Sequence, residues 1–72
     1  MNELIGMTIK THGSNVVSKV REVEPVQVGL IARKQFGIEQ GEPYIALAVR
    51  TDEKWTTLIA RDGMEIHKRY VI

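Results

Sequence analysis

The chain holds two histidines, His12 and His67, and Glu65 lies two residues before the second. On an extended strand, residues two apart point to the same side, so Glu65 could orient the His67 imidazole as a general base. No serine or cysteine is placed beside them to act as a nucleophile. With Arg69 the pair reads more simply as a solvated strand face, and the chain is read as not an enzyme. Two imidazoles fall short of the three or four ligands that a zinc site takes. There is no cysteine to add thiolates, so no metal and no other cofactor is expected. Gly37 and Gly41 do not fit the spacing of a phosphate-binding loop.

What remains is surface contact. Lys19 and Arg21 share one face of a strand, and with Glu65, His67 and Arg69 they make the candidate partner-binding surface. Ten Lys and Arg oppose nine Asp and Glu, for a formal charge of +1. Dedicated nucleic-acid binders carry a clear basic excess, so a protein partner is preferred and nucleic acid is the alternative. Trp55, Tyr44, Tyr70 and Phe36 could stack on bases. Trp55 and Tyr70 are read instead as core residues, which leaves Tyr44 as the aromatic without a role.

The elements that would position these residues are strands. Tyr44–Arg50, Trp55–Ala60 and Met64–Ile72 read as a three-stranded meander. Asp62-Gly63 is the dipeptide of a type I′ hairpin turn. Centred there, Arg61 faces Met64, Ile59 faces Ile66, Thr57 faces Lys68 and Trp55 faces Tyr70. The face bearing Trp55, Ile59, Ile66 and Tyr70 is then the core face, with Thr57 and Lys68 between them, and Leu58 falls on the other side with Thr56, Glu65, His67 and Arg69. For Ile45 to meet Ile59 and Val49 to meet Trp55, the loop around Asp52 must hold an odd number of residues.

Upstream, Leu4–Thr11 alternates as a half-buried strand. His12-Gly13-Ser14-Asn15 is a turn cluster. Val16–Val23 is a second strand with valine on both faces, ended by Glu24-Pro25. Residues 26–33 read as a strand, although Gly37 followed by Ile38 would also suit the end of a helix. Glu39–Pro43 is a polar loop. Five or six short strands at this rhythm predict an all-β fold, a small SH3-like barrel or a twisted antiparallel meander. The alternative is an α+β swapped hairpin with a short helix near 28–37.

Seventy-two residues make a single small domain, 1–72, with a thin core that dimerisation would help. Absent cysteines fit a reducing cytoplasm. The first residues lack the basic and apolar run of a signal peptide, and nothing is long and apolar enough to span a membrane. The expected protein is therefore cytoplasmic, a non-enzymatic binding module.

Residues 19–42 resemble the AbrB-like DNA-binding family of bacterial transition-state regulators and antitoxins. The passage Arg33-Lys34-Gln35-Phe36-Gly37-Ile38-Glu39-Gln40-Gly41-Glu42 is similar to that family's helix end and following turn. The likeness covers a third of the chain, and Gly29 stands where the family has a proline. It implies a dimer with interleaved hairpins that grips DNA, with Lys19, Arg21, Arg33 and Lys34 as basic contacts.

Overall fold

The computed structural model describes residues 2–11 and 15–72. Among these, four strands form one antiparallel sheet in chain order: β1 (Thr8–Lys10), β2 (Val17–Pro25), β3 (Ile45–Thr51) and β4 (Trp55–Ala60). Two short helices accompany it, α1 (Leu30–Gln35) and α2 (Gly63–Tyr70), with a 3-10 turn at Asn2–Leu4. The architecture is mostly β, a curled half-barrel of a small barrel-like kind, and not the five or six strands expected. The turn expected at His12–Asn15 lies largely outside the described residues.

β3 is apolar on both faces, so the sheet must be covered on both. On one side Leu47 and Val49 join Ile9, Val20, Leu58 and Ala60 in the main core, closed by Leu4 and by Ile66 and Tyr70 of α2. On the other, Ala46 and Ile59 pack with Ile38, under Val26, Val28, Phe36 and Tyr44 of the long β2–β3 connection. Tyr44 thus gains a role. Its ring also lies 4.9 Å from the Arg33 guanidinium carbon, a cation–π contact.

The last segment is a helix, not the strand expected over Met64–Ile72. Asp62 does not turn a hairpin. It caps α2, its carboxylate accepting the Glu65 N–H at 2.9 Å. Glu65 reaches back and accepts the Arg61 N–H at 3.2 Å. This is the reciprocal pattern of a capping box, displaced by one residue at its return bond. Lys68 and Arg69 fill the last turn, where cations suit the helix dipole. The cross-strand pairs drawn about Asp62-Gly63 therefore do not form. Ile66 and Tyr70 are buried as expected, but from a helix, and Lys68 is exposed.

Residues 26–33 are not a strand either. The chain leaves β2 and enters α1 at Gly29, and the helix ends with Gly37 at φ +77°. The Ile38 N–H donates to the Arg33 carbonyl and the Gly37 N–H to the Lys34 carbonyl, both at 3.0 Å. These two bonds make a Schellman end, and they seat Ile38 in the second core.

The β3–β4 turn overturns the odd-loop expectation. Arg50 pairs with Trp55 and Ile45 with Ala60, which leaves an even loop, residues 51–54. No glycine is needed there, because the Thr51 hydroxyl oxygen accepts the Glu53 and Lys54 N–H groups, each at 3.2 Å. The register sends Leu58 into the main core and turns Trp55 outward, 51% exposed. Trp55 is not a core residue.

A β-bulge explains why valines fell on both faces of β2. Val20 pairs with Thr51 and Glu22 with Arg50. Arg21 is the extra residue, so the inward parity shifts from Val20 to Val23. β1 is flanked on its other side by the chain end, through an Ile9–Val71 bridge and the Ile72 N–H donated to Thr8 at 3.0 Å.

Candidate functional site

The outer face of β2–β3–β4 can be read from its pairing. Glu22, Arg50 and Trp55 form one cross-strand row, and Glu24, Ala48 and Thr57 form the next. Arg50 Nε donates to Glu22 Oε1 at 3.0 Å. Beside it the bulged Arg21 grips Asp52 in the β3–β4 turn with two parallel bonds, Nε to Oδ1 at 2.7 Å and Nη2 to Oδ2 at 3.0 Å. Lys19 stands opposite Thr8 and adds its field to that of Arg21 and Arg50 at Asp52. The result is an exposed patch of two arginine–carboxylate pairs and a lysine with a half-exposed indole at its margin.

The bidentate bond from Arg21 holds the Asp52 carboxyl below its ordinary range, and raises Arg21 in turn. A carboxyl lowered in the folded state adds stability above its unfolded pKa. That increment disappears as pH falls through the folded value. Because both groups are exposed the effect on stability is small, and the informative measurement is the titration itself. An NMR titration of Asp52 should give a midpoint below the ordinary value of about 3.9, and Arg21→Gln should move it upward. An Asp52 midpoint unaffected by Arg21→Gln would remove the pair from the description of this surface.

Lys19 and Arg21 both lie in this patch. Glu65, His67 and Arg69 do not share a strand face with each other or with them. On α2, Glu65 and Arg69 lie one turn apart and pair at 2.8 Å, and Arg61 approaches the same carboxylate at 3.5 Å. His67 turns elsewhere, with Nδ1 3.1 Å from the Gly63 carbonyl oxygen, so Glu65 does not orient its ring. Arg50 and Asp52 carry no mark in the sequence that joins them to this face, and Trp55, expected in the core, is turned onto it by the even loop.

Among the described residues no group of three or more His, Asp or Glu side chains could hold a metal ion. The β1–β2 end of the sheet opens on a cleft of about 200 Å³ lined by Ile9, Ser18, Thr51, Lys54 and Thr56 among others. That cleft is below the ~300–1,000 Å³ of ordinary small-molecule pockets, whereas two wide, open hollows along α2, both bordered by Met64 and Lys68, reach about 880 and about 700 Å³. No helix among the described residues is long and apolar enough to cross a membrane. Neither a protein-family model nor a curated protein nor a solved structure matches the chain.

Proposed function

We propose that this chain is a non-enzymatic binding module of SH3-like barrel construction, working by surface contact with a protein partner. One observation carries the reading: Trp55, the single tryptophan of the chain, stands half exposed beside Arg50, at the margin of the patch that also holds Arg21. Tryptophan and arginine are the residue types that dominate binding energy at protein interfaces. Both arginines are already engaged by carboxylates, so a phosphate backbone would have to displace Glu22 and Asp52. A protein surface need only exclude water around them. The barrel reading draws support from the chain end, which returns after α2 to bridge with β1. A partner-binding role for Glu65, His67 and Arg69 would form a separate surface on α2.

The rival reading is an AbrB-like dimeric DNA-binding regulator. It is favoured by the short helix ending at Gly37 and Ile38, with Arg33 and Lys34 in its last turn. A double variant, Lys19→Glu with Trp55→Ala, should stay folded and lose its partners in pull-downs from the host cell. Capture should respond weakly to salt if the partner is a protein, and steeply if it is DNA, since neutralised phosphates release counterions. A folded double variant that retains every partner would sink the module reading at this face.

A further inference from the structure

The outer edge of β4 is half covered. In an antiparallel ladder successive residues turn their N–H and C=O groups alternately toward the paired strand and away from it. The main-chain groups of Ile59 point away from β3, because both meet the Tyr70 hydroxyl. That hydroxyl donates to the Ile59 carbonyl at 3.0 Å and accepts the Ile59 N–H at 3.3 Å. Thr57 and Trp55 have the same parity. The turn fixes it independently, since the Thr51 N–H donates to the Lys54 carbonyl at 2.9 Å. So α2 shields the edge at Ile59 and the turn ends it at Lys54. Between them the outward main-chain donors and acceptors of Trp55 and Thr57 meet no partner among the described residues. An edge of this kind is a template for another strand.

We propose that a second copy of this chain occupies it, β4 against β4 antiparallel about a two-fold axis at Thr56. The inference rests on the binding-module reading and names the partner that Trp55 meets. Three features single out a second copy. The exposed segment is self-complementary: Trp55 falls opposite the mate's Thr57, and every outward N–H meets an outward C=O with none left over, as an isologous contact requires. The indole lands beside small side chains, because Thr57 is paired across β3 with Ala48. The two indoles become diagonal neighbours, ~7–8 Å apart at the backbone and within reach of aromatic rings. No like charges are opposed, since the row reads Glu22, Arg50, Trp55, then the mate's Thr57, Ala48 and Glu24. The contact is short, so it belongs with the weak interfaces below ~1,200 Å².

Sedimentation equilibrium of the full chain between about 10 µM and about 1 mM should show a monomer–dimer equilibrium. Emission from the single tryptophan should shift to the blue in step with it. Exchange of the Trp55 and Thr57 amide hydrogens should slow with concentration. Thr57→Lys, which fills the landing place of the indole and leaves the β3 ladder intact, should weaken association about tenfold or more. Thr57→Pro should do the same by deleting the outward N–H, a change an edge strand tolerates on its open side, with circular dichroism as the check that it folds. A chain that stays monomeric throughout overturns the proposal, as does a dimer whose Trp55 and Thr57 amides exchange at unchanged rates. If the monomeric chain still loses protein partners on Trp55→Ala, the second copy is excluded while the binding module stands.

Discussion

Truncating Ile66 to alanine should unfold much of the population, whereas truncating Trp55 to alanine should leave the melting curve of dilute protein almost in place. Ile66 is fully buried, and it is one of two residues by which α2 closes the main core. Removing its branched side chain loses transfer free energy and leaves a cavity, about 2–5 kcal/mol together. A domain of this size has about 5 kcal/mol in all. α2 has little to fall back on, since a helix of eight residues is not stable without its packed face. Trp55 has half its surface in water already, and exposed substitutions cost within about 0.5 kcal/mol. At about 4–8 °C per kcal/mol for a small domain, thermal unfolding followed by circular dichroism separates the two variants without ambiguity. A Trp55→Ala variant that melts like Ile66→Ala would put the indole back in the core. The even-loop register would then be wrong, and with it the outer face built on it.

The ambiguity at α2 has a simple origin. Ile66 and Tyr70 are four apart, a multiple of the strand period of two and close to the helical turn of 3.6. Spacing alone therefore buries both residues in either structure. The Asp62-Gly63 dipeptide is itself a hairpin signal. The contrary signal lay three residues on: Asp62 followed by Glu65 is the pattern of a capped helix start. β3 and β4 were legible to within a residue because β-branched and apolar residues run through them between polar turns. Their register was not legible. Parity depends on one residue of loop length, and the Thr51 hydroxyl holds an even turn that carries no glycine to announce it. The same holds for the bulge at Arg21, which leaves no mark beyond valines on both faces. Of the outer-face patch, Lys19 and Arg21 could be found as charges without a core role. Arg50, Asp52 and Trp55 could not be joined to them, since only the register and the bulge bring them together.

Two glycines separate the helix description from the hairpin one with opposite outcomes. Gly37 sits at φ +77°, where an L-residue costs about 1–2 kcal/mol and a β-branched one more. A Cβ there would meet only Arg61 Nη2 at an ordinary 3.8 Å, so the penalty comes from the backbone and not from a clash. Gly37→Val should therefore destabilise by about 2 kcal/mol or more, and Gly37→Asn by clearly less, since asparagine tolerates the left-handed region. The damage should spread, because the same turn seats Ile38 under the sheet and offers its carbonyl to Arg61 Nη2 at 2.7 Å. Gly63 is the first residue of α2, and it is not among the positive-φ glycines of the described residues. In a helix interior glycine is the poorer choice by about 0.5–1 kcal/mol relative to alanine, and at a first helical residue only part of that is felt. Gly63→Ala should thus raise stability in urea unfolding, and Gly63→Val should be close to neutral. A hairpin turn at Asp62-Gly63 demands the reverse order, with Gly63→Val among the most damaging changes in the chain. Severe loss at Gly63 together with tolerance at Gly37 would dismantle α2 and the Tyr70 shield over Ile59, and the half-open edge of β4 would go with them.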